Sequence, residues 1–128
     1  MSTSDTQKIR ELLTTYEHSL NTSDAALAAS CYTSDGIFMP TTLPTSSGAD
    51  LETAYAGIFE MIALDIKFTF DEIVVAEGGY AFALTSSSGT QTVLAPGVTD
   101  SESNREIFIL RVEDGDWKIA RYMFNKSE

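Results

Sequence analysis

The sequence predicts an α+β fold: a cone-shaped α+β barrel in which three N-terminal helices pack on a strongly bent, mainly antiparallel sheet, with residues 1–128 forming one domain. Three observations predict it. Up to Leu64 the apolar residues recur at helical spacing in three separate stretches, and beyond it the period drops to two. Gly78-Gly79 and Asp114-Gly115 are hairpin signals between strand-like runs. Helices followed by strands is the order of a sheet covered on one face, and a bent sheet with helices across its mouth encloses a conical cavity.

The first helix opens at Ser4, which with Gln7 has the spacing of a capping box. Its stripe is Ile9, Leu12, Leu13, Tyr16 and Leu20. Asn21 to Asp24 interrupt that stripe and offer new caps. Ala25–Tyr32 reads as a short alanine-rich helix with Leu27, Ala28 and Cys31 on one side. Ser34-Asp35-Gly36 reads as a turn, and Ile37-Phe38-Met39 as a short strand stopped by Pro40. Thr41–Gly48 is a loop. Ser47 with Asp50 can cap a third helix, whose stripe is Leu51, Tyr55, Ile58, Phe59 and Ile62.

The second half reads as four long strands in a meander. Ile66, Phe68 and Phe70 alternate with Lys67, Thr69 and Asp71, and Ile73–Val75 extend that strand. In Tyr80–Val93, Tyr80, Phe82, Leu84 and Ser86 alternate with small residues. Pro96–Asn104 reads as a polar connection, Ile107–Val112 as a strand apolar on both faces, and Trp117–Phe124 as the last strand.

Composition narrows the function classes. Hydrophobic residues make up 43 %, enough for a core without covalent staples, and the net charge is −11. That sign excludes the basic surface a nucleic-acid binder needs and disfavours docking on anionic membranes. The single cysteine, Cys31, allows neither an intrachain disulfide nor a cysteine zinc site. No apolar run approaches the length of a membrane span, and the polar Met1–Lys8 stretch carries no signal-peptide core. The expectation is a soluble cytoplasmic domain.

Candidate residues follow from the stripes. Tyr16 lies on the buried stripe of the first helix, either as a core tyrosine with a satisfied hydroxyl or as a donor to a ligand. Tyr32 and Tyr55 are similar. Tyr55, Phe59, Phe68, Phe82 and Phe124 would line an apolar cone, and they would equally make an ordinary aromatic core. Glu106 alternates with Phe108 and Leu110 and can point inward with them. His18 lies roughly 200° around the helix from Tyr16, on the solvent side. Asp65, Asp71 and Glu72 read as solvated charges, and Cys31 as a small core residue.

Arg105, Ile107, Ile109 and Arg111 share one strand face, opposite Glu106, Phe108, Leu110 and Val112. A sheet apolar on both sides needs a second cover, and a second copy of the chain is the expected one, giving a homodimer. Arg105 is then an ion-pair residue of that interface or a pocket residue for an acidic ligand. Arg121 is ambiguous in the same way; it shares a face with Trp117, Ile119 and Met123, and Tyr122 shares the other with Phe124.

Several stretches together resemble the nuclear transport factor two-like superfamily, the SnoaL-like and ketosteroid isomerase-like cone folds. They are Tyr16–Asp24 at the end of the first helix, Tyr32–Phe38 entering the first strand, Gly48 opening the third helix, and Asp114–Ile119 before the last strand. Asn104-Arg105-Glu106 and Tyr122–Asn125 resemble the SgcJ/EcaC-like branch. The superfamily includes isomerases, cyclases, dehydratases, hydrolases and association domains, so the resemblance implies a fold and leaves the function to the site. It would place a carboxylate base just before Pro40, where this chain has Met39, so standard ketosteroid isomerase chemistry is not expected. It would place a tyrosine donor at Tyr16 and a second donor near Asn104–Glu106.

Two readings result. In the first, a hydrophobic small molecule, polyketide- or terpenoid-like, sits in the cone. Tyr16 and Glu106 are then the candidate catalytic groups for isomerisation, cyclisation or dehydration, without metal or cofactor. The pocket draws on Tyr32, Phe38, Met39, Tyr55, Phe59, Phe68, Phe82, Arg105, Tyr122, Phe124 and Asn125. In the second, the chain is a non-catalytic dimeric association domain that acts through its sheet face, with the cone filled by its own side chains.

Overall fold

The computed structural model describes residues 4–127. The Met1–Thr3 portion of the polar start lies outside them. The order is α1 (Asp5–Asn21), α2 (Ala25–Ser30), β1 (Tyr32–Met39), β2 (Ser46–Ser47), a 3-10 turn (Gly48–Asp50), α3 (Leu51–Met61), β3 (Ile62–Val75), β4 (Tyr80–Val93), β5 (Val98–Glu113) and β6 (Asp116–Lys126). The strands form one unclosed six-stranded sheet in the order β2-β1-β6-β5-β4-β3. Only β1 and β6 pair in parallel.

The helices form where the apolar stripes place them. The Ser4 hydroxyl accepts from the Gln7 N–H at 3.2 Å, and Ile9, Leu13, Tyr16 and Leu20 are buried. Fully burying each such side chain stabilises by roughly 1.5–3 kcal/mol. Asp24 caps α2 by accepting from the Leu27 N–H at 3.0 Å. That helix ends at Ser30, two residues earlier than its composition suggests, because Tyr32 pairs with β6. The Ser34-Asp35-Gly36 turn is absorbed into β1 as an irregularity in the pairing between Tyr32 and Ile37. Neither Ser47 nor Asp50 makes a side-chain cap bond at the start of α3.

The sheet departs from the sequence expectation in three places. The polar Pro96–Asn104 stretch is mostly strand: β4 and β5 stay paired as far as Val93 and Val98, forming a long hairpin. In β4 the small residues face the core. Ala81, Ala83, Thr85 and Ser87 are buried, whereas Tyr80 and Leu84 are exposed, and Phe82 shares their outer face. The concave side is already filled by the rings of Tyr16, Phe68, Phe108 and Tyr122, so it takes small side chains there. In β6 the pairing shifts between Ile109 and Leu110, leaving Ala120 as the extra residue. The bulge reverses the alternation, so Trp117 and Ile119 lie inside with Tyr122, and Arg121 and Met123 lie outside.

Gly89 marks the closest strand approach. A Cβ there would lie 1.9 Å from the Asp65 carbonyl oxygen and 2.8 Å from the Ile66 Cα, closer than any side chain allows. The Ala76 N–H donates to the Tyr80 carbonyl at 2.8 Å, so the β3–β4 hairpin closes over a three-residue loop, Glu77–Gly79, in which Gly78 and Gly79 take left-handed φ of 79° and 77°. β3 is an edge strand, and α1 covers its free edge. The Asn21 amide donates to the Ile66 carbonyl and accepts from the Ile66 N–H, both at 2.8 Å, while Glu17 accepts from the Phe68 N–H at 2.6 Å. Among the described residues no helix is long and apolar enough to cross a membrane.

Candidate functional site

The curled sheet and α3 enclose an open cavity of about 240 Å³. Its deepest lining is Tyr16 from α1, Tyr55 from α3, Phe38 from β1 and Tyr122 from β6, all buried. The apolar wall continues through Ile58 and Phe59 of α3 and through Ile62, Leu64 and Ile66 of β3. A polar patch of the lining comes from Ser87, Asn104 and Glu106, inward positions of β4 and β5. Leu43, Met61 and Lys126 stand exposed at the opening.

The tyrosines are linked. Tyr16 and Tyr55 share a short hydroxyl–hydroxyl bond, and Tyr55 and Tyr32 another at 2.6 Å. Three hydroxyl protons serve two bonds, and either oxygen of each pair can be the donor. The arrangements that leave the third proton on Tyr16 or on Tyr55 both present it to the cavity that these two residues line. Burial pushes the Tyr16 hydroxyl well above its ordinary pKa, outweighing its bonds to the neighbouring tyrosines, and the charge of Glu106 adds to the rise. Tyr16 therefore keeps its proton throughout the physiological range.

Glu106 is 4 % exposed and, among the described residues, has no cation beside it. Its Oε1 accepts from the Thr85 hydroxyl and its Oε2 from the Ser87 hydroxyl, both at 2.6 Å. Burial raises its pKa; the two hydroxyl bonds oppose that rise, and the charge of Asp71 adds to it. A carboxyl of raised proton affinity that lines the same cavity as a protonated tyrosine can take and return a proton.

The structure brings Tyr16, Phe38, Tyr55, Phe59, Glu106, Tyr122 and Phe124 together on the cavity wall. It removes six other expected residues from it. Tyr32 and Phe68 stand behind the wall, bonded to Tyr55 and stacked on Tyr16 respectively. Phe82 lies on the outer sheet face, for the reason given by the small inner residues of β4. Met39 pairs with Met123 on the outer face, so the position before Pro40 does not face the ligand space. Arg105 is exposed on that same outer side, its Nε donating to Asn125 Oδ1 at 2.6 Å, which takes both residues out of the cavity. Asn104 and Ser87 were not expected there. The alternation that places Glu106 inward also places Asn104 inward, but only once β5 is seen to begin before it.

Cys31 is buried and its thiol is pushed up to about 11, chiefly by burial, so it is not a reactive thiolate. His18 is exposed, as its helical position predicts. Among the described residues no three His, Cys, Asp or Glu side chains converge as a metal site would need.

Comparison with known proteins places these features in a context. The model of the SnoaL-like domain matches residues 13–122. A ketosteroid isomerase-like protein from Erwinia carotovora atroseptica SCRI1043 is similar over 95 % of each chain, at 30 % identity and a TM-score of 0.90. A nuclear transport factor 2-like superfamily protein from Salmonella enterica serovar Typhimurium covers 95 % of this chain and 90 % of its own at 18 % identity, with a TM-score of 0.80. A protein from Xanthomonas campestris, proposed to be a calcium/calmodulin-dependent protein kinase II association domain, covers 97 % and 89 % at 17 % identity and a TM-score of 0.78. Among curated proteins, none matches the sequence.

Proposed function

We propose that this chain, which belongs to the SnoaL-like domain family, takes a compact, mostly apolar small molecule into its cavity and carries out acid–base chemistry on it. The reaction class is isomerisation, cyclisation or dehydration of a polyketide- or terpenoid-like substrate. One observation carries the reading: a buried carboxyl, Glu106, with no counterion among the described residues, lines the same cavity as the buried hydroxyl of Tyr16. The cavity of about 240 Å³ lies just below the range for drug-sized ligands, which suits a molecule of one or two rings.

In this reading Tyr16 donates to a ligand oxygen and stabilises negative charge that develops there. Glu106 removes a proton from the ligand or returns one to it. Its raised proton affinity favours that role, because a proton-transfer group works best when its pKa lies near the working pH. The site differs from a ketosteroid isomerase in having no carboxylate before Pro40. Glu102 is less suited to the role, since Lys126 and Asn104 occupy its two oxygens. The Asn104–Glu106 and Tyr122–Asn125 stretches support assignment to the SgcJ/EcaC-like branch, and the acidic, cysteine-poor composition supports a cytoplasmic setting.

The test is a thermal-shift screen of apolar ketones, aromatics and terpenoids, followed by turnover of any hit. A ligand at one hundred times its Kd adds about 2.7 kcal/mol of stability. Tyr16→Phe and Glu106→Gln should each lower turnover by roughly 10²–10⁴ without unfolding the protein. Unchanged rates in both variants would overturn the reading.

A second reading concerns assembly. The row Leu84, Ile107, Met123 and Met39 crosses four strands on the outer face, and three of its members are 37–45 % exposed. Such a face is covered in a working assembly, and we propose a second copy of the chain as its cover. A purely associative role with a filled cone is disfavoured by the open cavity.

A further inference from the structure

Building on the cavity reading above, we infer that the ligand carries an O–H or N–H donor that meets Asn104, which makes Asn104 the residue selecting hydroxylated over hydroxyl-free apolar molecules. Asn104 is 6 % exposed and lines the cavity. Its Nδ2 donates to Glu102 Oε2 at 3.0 Å, and Glu102 Oε1 accepts from Lys126 Nζ at 2.6 Å. A salt-bridged carboxylate only accepts, so the amide nitrogen must face it and the carbonyl oxygen must face away. That oxygen is buried and has no hydrogen-bond partner.

A buried acceptor without a donor costs the folded state, and a native structure that retains one calls for an explanation. Neighbouring groups cannot relieve it, since the Thr85 and Ser87 hydroxyls already donate to Glu106. Among the described residues the other such orphan is the Ser46 hydroxyl, which does not line the cavity. No protein group among the described residues meets the Asn104 oxygen, so its donor comes from a molecule seated in the cavity that Asn104 lines. The ligand is then bifunctional, with one oxygen that accepts from Tyr16 and one O–H or N–H that donates to Asn104.

The experiment titrates the full chain by calorimetry with acetophenone, its 2-, 3- and 4-hydroxy derivatives and the three methyl ethers. At least one hydroxylated isomer should bind about tenfold or more tightly than its ether, because the ether leaves the acceptor unmet. In Asn104→Leu that ratio should collapse to near one. The side-chain amide resonance of Asn104 should move with the hydroxylated isomer and not with its ether, a readout that survives if the variant folds poorly. Equal binding of every alcohol–ether pair to the wild type, or a ratio that persists in Asn104→Leu, overturns the role of Asn104 and leaves the cavity reading standing. Binding of none of the seven compounds at millimolar concentration overturns both.

Discussion

Asn21 grips both backbone groups of Ile66, donating to the carbonyl and accepting from the N–H at 2.8 Å each. The grip satisfies the free edge of β3 and fixes Ile66, which lines the cavity. Removing it leaves two part-buried backbone groups to find water. Asn21→Ala should therefore cost about 1–3 kcal/mol and lower the melting temperature by several degrees. Asn21→Asp keeps the acceptor and should cost less. Urea unfolding of the three proteins checks the order, and equal midpoints would remove Asn21 from the list of structural anchors.

Gly89 and Gly57 predict opposite outcomes for the same substitution. A Cβ on Gly89 would lie 1.9 Å from the Asp65 backbone oxygen, so Gly89→Ala must push β3 and β4 apart where the sheet closes on the cavity. Gly57 sits exposed in the middle of α3 with nothing within 4 Å of a built Cβ. Gly57→Ala should stabilise by up to about 1 kcal/mol from helix propensity. Thermal melts of the two variants should move in opposite directions from the wild type.

The helices were legible because each buries one stripe, and Ile9, Leu13, Tyr16, Leu51 and Tyr55 fall where a 3.6-residue period puts them. Strand faces were less legible, because alternation gives two faces and does not say which is concave. In β4 residue size points the wrong way: the aromatic cluster fills the inner side, so Ala81, Ala83, Thr85 and Ser87 face it and Phe82 is turned out. In β6 a single bulge at Ala120 breaks the alternation, a feature no local pattern announces. Glu106 was legible through its apolar neighbours Phe108 and Leu110. Asn104 obeys the same rule but sits in a polar run that reads as a loop, and the Tyr16–Tyr55–Tyr32 link joins three elements far apart in sequence.

Glu106 makes stability depend on pH with a definite sign. Burial raises its folded-state pKa above the unfolded value, so the folded protein holds the proton to higher pH. Stability is then greatest with the carboxyl protonated and falls as pH rises from the ordinary glutamate range through the raised value. Glu106→Gln carries no such dependence at this position. The unfolding free energy of Glu106→Gln minus that of the wild type should grow between about pH 4 and pH 8, each tenfold change in proton affinity being worth about 1.4 kcal/mol. A difference that stays flat across that range would mean that Glu106 is ordinarily solvated in solution.

Ile107 and Met123 sit opposite each other in the β5–β6 ladder, 40 % and 45 % exposed, at the centre of the outer apolar row. If a second copy covers that row, the two-fold operation brings each such residue near its own equivalent. A glutamate there places like charges together in a dry interface, which disfavours association strongly. The wild type should therefore sediment at twice the chain mass and Ile107→Glu at the chain mass, with the melting shift from cavity ligands retained, because Ile107 points away from the cavity. The outer Arg105–Asn125 pair is exposed and lies next to the row, so Arg105→Ala should weaken the dimer far less. Sedimentation equilibrium at several concentrations decides between the outcomes. A wild type that remains monomeric at about 100 times the concentration used for ligand binding would leave the row to a different partner.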